Sequence, residues 1–299
     1  MTKRVSIQLV GGLGNQLFGY FAGKYLELEH GCEVTYDTSQ FDKGITAHGS
    51  SIQKLNLLGV FFQLAPVTSF PTLLLQKSCL AIASKFPSMS QAMEMLTGIH
   101  TSTEVGYDPQ LARVRNGMLI RGYFQSYKYA SAVLADEPQD IEPINPSPWY
   151  KSMSALALEQ SPIMVHIRRG DYAKPENSNF GMLAVEYYLD SLERLKGLGL
   201  GKSPIWIFSD ELESVSIEFG ERLGSAQLIY PNSEASAEET MLLMSKGVAN
   251  IISNSTFSWW SAMLGAPQFV IAPESWFREM ADPKDLIPPN WLRQKSIWK

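Results

Sequence analysis

The chain has 299 residues, 45% of them hydrophobic and 18% charged, which is a globular composition with room for one large domain or two ordinary ones. A net charge of −5 advertises no basic surface and argues against nucleic acid as the main partner. Cys32 and Cys79 stand in unrelated contexts, so neither a disulfide framework nor a zinc spacing is present.

In chain order, Val5 to Val10 predicts a first strand, and Gly11-Gly12-Leu13-Gly14-Asn15-Gln16 a turn. Leu17 to His30 predicts a helix stopped by Gly31, and Val34 to Asp37 a second strand. This is a βαβ opening with a glycine-rich loop at a helix N-terminus, where backbone N–H groups can meet a phosphate. The dinucleotide fingerprint nearly fits through Gly12, Gly14 and Asp37, but it needs a small residue where Leu17 stands. The phosphate loop of nucleotide hydrolases fails too, because Tyr20 follows Gly19 where a lysine is required. Structural turn and ligand loop both stay open here.

Leu55 to Val60 suits a strand or a short helix, while Leu73 to Phe86 and Ser90 to Leu96 suit helices. The most apolar run, Leu73 to Ala83, is broken by Gln76 and Lys77 and falls short of the ~20 apolar residues a membrane span needs. With no apolar leader behind Met1, the expectation is a cytoplasmic protein whose membrane contact is at most peripheral, at the inner face. Met118 to Ser126 predicts a strand running into a polar turn, followed by a helix from Tyr129. Asp136 to Pro148 is rich in proline and acid and predicts an interdomain linker, or a loop with a short helix after it. The expected division is therefore 1–150 and 151–299.

The second half alternates more regularly. Ile163 to Ile167 is a β-branched run behind Pro162 and predicts a buried parallel strand. At its end, alternation sends His166 and Arg168 one way and Arg169 the other, and Gly170 permits a sharp turn or a close ligand. A guanidinium there suits a phosphate, or it pairs with a carboxylate such as Asp171. Helix Leu183–Leu195, strand Ile205–Phe208 ending in Ser209-Asp210, and strand Gln227–Tyr230 follow. A capping box at Ser236 to Glu239 starts a helix to about Lys246. Strand Val248–Ser253 leads into Asn254-Ser255-Thr256-Phe257-Ser258 and a helix to Leu264, and Phe269 to Ala272 is read as the last strand. Such alternation predicts a doubly wound parallel sheet. Three polar strand ends on one edge describe an anionic-ligand cleft. The hydroxyls of Ser255, Thr256 and Ser258 serve there as phosphate donors or as plain helix caps. Trp259 and Trp260 continue into an apolar helix and are read as packing in preference to sugar platforms. The four histidines stand too far apart for metal-ligand spacing.

The segments Gly11–Phe18, Val165–Tyr172 and Asn254–Trp260, in this order, together resemble the α-1,2-fucosyltransferase family, and the His-x-Arg-Arg-x-Asp element is similar to that of the α-1,6- and protein O-fucosyltransferases. The resemblance implies an α/β chain of two Rossmann-like domains facing a cleft, the GT-B type. The N-terminal domain would take the acceptor and the C-terminal one GDP-fucose. It also implies inversion at the anomeric carbon, no metal or other cofactor, and transfer to the 2-hydroxyl of a terminal β-galactoside such as lactose or an O-antigen precursor. Arg168 would grip the β-phosphate, with His166, Arg169, Asp210, Asn254, Ser255, Thr256 and Ser258 around the donor. Gly12, Gly14, Asn15 and Gln16 would close on the phosphates from the glycine loop. The family commonly holds guanine with an aspartate where Thr240 stands, so Glu239 is the substitute candidate. Asp171, Asp37 and Asp42 are candidates for the base. The alternatives are a nicotinamide-dependent Rossmann oxidoreductase and a non-catalytic nucleotide-sugar-binding protein.

Overall fold

The computed structural model describes residues 2–42, 49–57, 62–63, 90–137 and 140–299. The chain divides into one unit of residues 1–53 and 57–139 and a second of 54–56 and 140–299. The division thus falls before Asp140, ahead of the proline-rich stretch's second half. That half is tied to the second unit: Asn56 N donates to Glu142 O, Ile144 N donates to Lys54 O, and Leu55 bridges Pro143.

In the first unit, β1 (Lys3–Gln8), β2 (Cys32–Asp37), β3 (Phe62–Gln63), β4 (Ile99–Thr101) and β5 (Leu119–Arg121) form one parallel sheet in the order β3-β2-β1-β5-β4. Helix α1 (Leu13–His30) packs on it, and α2 (Ser90–Thr97) and α3 (Tyr127–Asp136) complete the described helices longer than one turn. Alternating Val5 and Ile7 are buried, as is most of the first half of α1, so this strand and helix supply the core. Helix α1 begins four residues earlier than the sequence predicted. Gly12 is its extended N-cap, Gly11 turns at φ +67°, and Leu13 to Gln16 are already helical. The turn is therefore two residues long, and Gly31 ends the helix in the left-handed conformation as expected. Strand β4 went unpredicted because three residues carrying His100 between Ile99 and Thr101 give no apolar run. The predicted helix Leu73–Phe86 lies outside the described residues.

The second unit is also a parallel sheet. Strands β6 (Ile163–Ile167), β7 (Ile205–Ser209), β8 (Gln227–Leu228), β9 (Ala249–Ile251), β10 (Phe269–Pro273) and β11 (Leu292–Gln294) lie in the order β11-β10-β9-β6-β7-β8. Helices α4 (Pro148–Gln160), α5 (Val185–Leu195), α6 (Leu212–Phe219), α7 (Ala237–Met244) and α8 (Thr256–Leu264) connect them. All five residues of β6 are buried, His166 among them, as befits a central strand. Phe269–Ala272 is not the last strand: β11 adds a short polar edge that no hydrophobic pattern marks. Trp259 and Trp260 are buried with their rings 4.8 Å apart, and Trp259 Nε1 donates to Leu286 O, so both serve packing. Each unit alone is thus the Rossmann-like α/β element expected, and no described helix is long and apolar enough to cross a membrane.

One ionised cluster braces the first unit. His100 is buried with Nδ1 2.9 Å from Glu94 and Nε2 2.8 Å from Asp108. Burial alone would push its pKa down, but the two carboxylates outweigh it and raise it above 6.5. Burial would likewise lift Asp108, and the bonds from His100 and Gln110 N hold it below its ordinary value instead. A raised native pKa stabilises below the unfolded value and is lost as pH rises through the native one, whereas a lowered acid is lost as pH falls. Melting temperature followed against pH should therefore fall on the alkaline side as His100 deprotonates. That fall should be absent from His100→Gln, and an unchanged alkaline limb in the variant would remove His100 as its cause.

Candidate functional site

Ligands in doubly wound sheets bind beyond the strands' carboxyl ends, where the strand order reverses. In the second unit that point lies between β6 and β9. The residues following these strands meet there. His166 Nδ1 lies 2.9 Å from Ser253 Oγ, and its ring packs 5.6 Å from Phe257. Burial, with Arg168 adding to it, pushes His166 down to about 3, so the imidazole is neutral at ordinary pH.

Past β6 the two arginines part, as strand alternation predicts. Arg168 keeps a quarter of its side chain exposed. Its Nη2 donates to Asp171 Oδ1, its Nη1 lies 3.0 Å from Asp210 Oδ2, and its guanidinium sits 5.5 Å over the Tyr172 ring. Two carboxylates thus aim the fork, and among the described residues its side chain makes no hydrogen bond beyond these contacts. Arg169 instead is buried: Nε donates to Glu218 at 2.9 Å and Nη1 to the carbonyl of Arg168. The structure therefore places Arg169 in an internal ion pair rather than in the phosphate fork expected of it. A bulky charge turned to the inner face of a strand end can stay there only when paired.

Asp210 is a bracket rather than a helix cap. Its Oδ1 accepts from Arg169 N at 2.9 Å while its Oδ2 faces Arg168. Gly170 makes this possible: at φ +20°, an added Cβ would stand 2.3 Å from Asp210 Oδ2. Tyr172 stacks 5.4 Å from Phe180, and its hydroxyl, pushed up to about 12 mainly by burial, donates to Asn254 O.

The stretch after β9 also splits by role. Asn254 is spent on the backbone, its Nδ2 donating to the carbonyls of Phe180 and Gly181 at 3.0 Å. Ser258 is buried and donates to Ser255 O at 3.2 Å. Ser255 occupies the N-cap of α8 without a side-chain cap bond, and Thr256 with Phe257 opens the first turn half-buried. The first backbone N–H groups of α8 thus lack a side-chain acceptor, which is the form an anion uses.

Glu239, the expected guanine holder, is committed elsewhere. It completes the capping box with Ser236 at the start of α7 and also accepts from Ser147 N. Burial would raise it, and these backbone donors hold it below its ordinary value. Glu238, overlooked in the sequence, is buried with Oε2 3.5 Å from Lys54 Nζ and Oε1 without a hydrogen-bond partner among the described residues.

In the first unit the glycine turn is internally stapled. Gln16 is fully buried, donating to the carbonyls of Gly11 and Gly49 and accepting from Ile52 N. Asn15 Oδ1 accepts from Gln125 Nε2, and Gly14 is buried beside the half-buried Gly12. Asp37 keeps 3% exposure, with Oδ2 accepting from Gln8 and Oδ1 from Ser39 N. The side chain of Asp42 lies outside the described residues. Ser253, Tyr172 and Phe257 went unassigned in the sequence. Their only signal is adjacency to the His166–Asp171 and Asn254–Ser258 motifs. Among the described residues no group of three or more His, Cys, Asp or Glu side chains could hold a metal ion.

The model of glycosyl transferase family 11 matches residues 152–294, which span this strand-end cluster. An alpha-1,2-colitosyltransferase of Escherichia coli is 28% identical across 97% of this chain and 98% of that protein. The O-antigen biosynthesis glycosyltransferase WbnK of Escherichia coli is 32% identical over 181 residues, 55% of this chain and 57% of that protein. Among solved structures, the fucosyltransferase NodZ from Bradyrhizobium has a TM-score of 0.49 at 13% identity, covering 89% of this chain and 94% of that one. Residues 152–294 are thus similar to glycosyl transferase family 11, and the chain is an enzyme of the nucleotide-sugar glycosyltransferase type.

Proposed function

We propose that the enzyme moves L-fucose from GDP-fucose to the 2-hydroxyl of a terminal β-galactoside, inverting the anomeric carbon to give an α-1,2 linkage. The observation that carries this reading is Arg168, half free and aimed by Asp171 and Asp210 at the switch point of the second sheet. As the C1–O bond to the diphosphate breaks, the sugar gains oxocarbenium character and negative charge gathers on the leaving oxygen. Arg168 and the uncapped N–H groups of α8 take up that charge, a task for which one preorganised donor supplies roughly 3 kcal/mol. Arg169, Asn254 and Ser258 support this edge from within. With the leaving charge met in this way the reaction needs no metal. Asp171, at 44% exposure, presents a carboxylate to solvent where Asp37 does not, and it receives the acceptor's proton. Glu238, with an oxygen to give, is a better holder of guanine N–H groups than Glu239.

The named relative favours a second reading, with colitose as the transferred sugar. We place the reaction in the cytoplasm. The test is product formation from GDP-fucose, GDP-colitose and GDP-mannose with lactose, with and without chelator. Fucosylated lactose at undiminished rate in chelator is the expected result. Transfer of colitose but not fucose establishes the second reading, and dependence on added divalent ion overturns the metal-free one.

A further inference from the structure

Arg168 and the start of α8 lie on two different loops, and one side chain touches both. Tyr172 follows Arg168 on the irregular stretch between β6 and α5. Its ring lies 5.5 Å from the Arg168 guanidinium. Its hydroxyl donates to Asn254 O at 3.0 Å, across 82 residues of sequence. Asn254 immediately precedes Ser255, the N-cap of α8.

Each contact supplies something the other groups leave open. Asp171 and Asp210 hold Nη2 and Nη1 of Arg168. Two fixed points define an axis, and a planar guanidinium can still rock about it. A ring against the face of the cation removes that freedom. At α8, Ser255 makes no side-chain cap bond, so its own side chain does not fix the first turn. The bond to Asn254 O instead holds the planar peptide that leads into the cap. With its pKa pushed up to about 12, mainly by desolvation, the Tyr172 hydroxyl stays a donor and cannot act as a base near neutral pH.

The bracket closes on itself. Asn254 Nδ2 donates to Phe180 O and Gly181 O, and the Phe180 ring stacks 5.4 Å from that of Tyr172. Phe180 is pinned in turn by the Phe277 ring, 5.7 Å away, and its carbonyl accepts from Arg278 N. Tyr172, Asn254 and Phe180 thus form a triangle in which no member moves alone. Loops without regular structure open easily unless such contacts hold them. Tyrosine is the side chain that fits this place: phenylalanine would keep the platform and lose the bond, and an aliphatic residue would lose both.

Resting on the proposed transferase reading, we infer that Tyr172 is a positioning residue that sets the Arg168 fork in register with the N-terminus of α8, so that both meet one diphosphate. Tyr172→Phe should lower kcat with GDP-fucose and lactose by roughly fivefold, the scale of one hydrogen bond. Tyr172→Leu should lower it by about 10–100-fold, the range for a misplaced charge-stabilising group. The KM for lactose should change by less than about threefold in both, since neither variant alters acceptor binding. In the Arg168→Ala background, Tyr172→Leu should cost no more than Tyr172→Phe does, because the ring then has no cation to hold. Calorimetry should show GDP binding to Tyr172→Leu weakened by about tenfold or more, with guanosine affinity changed by less than about twofold. A wild-type protein that transfers no sugar, yet whose GDP binding responds to Tyr172→Leu in this way, would sink the transferase reading and leave this one standing. Normal wild-type transfer with equal GDP and guanosine losses in Tyr172→Leu, or with additive losses in the double variant, would sink this one alone and make Tyr172 a packing residue. Should Tyr172→Leu not fold, unchanged kcat and GDP affinity in Tyr172→Phe would overturn the inference by themselves.

Discussion

Arg168→Ala should lower kcat by about 10²–10³-fold, the scale expected for losing one preorganised donor to developing charge. The fold should survive. Arg168 is partly exposed, its ion pairs with Asp171 and Asp210 are open to solvent, and pairs of that kind contribute about 0–1 kcal/mol. Melting temperature should therefore stay within a few degrees of wild type. Arg168→Lys should recover only part of the loss, because an ammonium keeps the charge but cannot be aimed by two carboxylates while still offering a planar fork. A donor assay with GDP-fucose and lactose checks both variants. Wild-type turnover in Arg168→Ala would take the fork out of the reaction and leave the α8 N-terminus as the only phosphate contact in this proposal.

The neighbouring residue should behave in the opposite way. Arg169→Ala should cost about 3–5 kcal/mol of stability, since it leaves Glu218 without its buried partner. Glu218 also meets Lys299 Nζ at 3.3 Å, which holds the loss toward the lower end. For the second unit this is a fall in melting temperature on the order of 10 °C. GDP affinity of the folded variant, read by calorimetry, should change by less than about threefold, since Nε and Nη1 of Arg169 are committed to Glu218 and the Arg168 carbonyl and the side chain is buried. A variant that melts like wild type but no longer binds GDP would return Arg169 to the phosphate site.

Much of this contrast was legible beforehand. Alternation along a strand separates Arg168 from Arg169 without any coordinates, and the buried run Ile163–Ile167 marks the central strand of its sheet. The capping box at Ser236 announces α7 in the same local way. Where the reading fell short, the cause was distance along the chain. The partner of Arg169 is 49 residues away, and that of Glu239 is Ser147, 92 residues back. Edge strands β4 and β11 are three residues each and lack a periodic pattern, so only pairing with a neighbour makes them strands.

The sequence by itself determined the alternation of strands and helices, the placing of polar residues at strand ends, and the family motifs, because these depend on side-chain period, turn chemistry and residue identity. Tertiary structure alone decided which of those polar residues a ligand can reach. It turned Asn254, Gln16 and Glu239 into braces and left Arg168 partly exposed. The physical reason is that a buried polar group must find a partner, and which one it finds depends on what folding brings within about 3 Å of it.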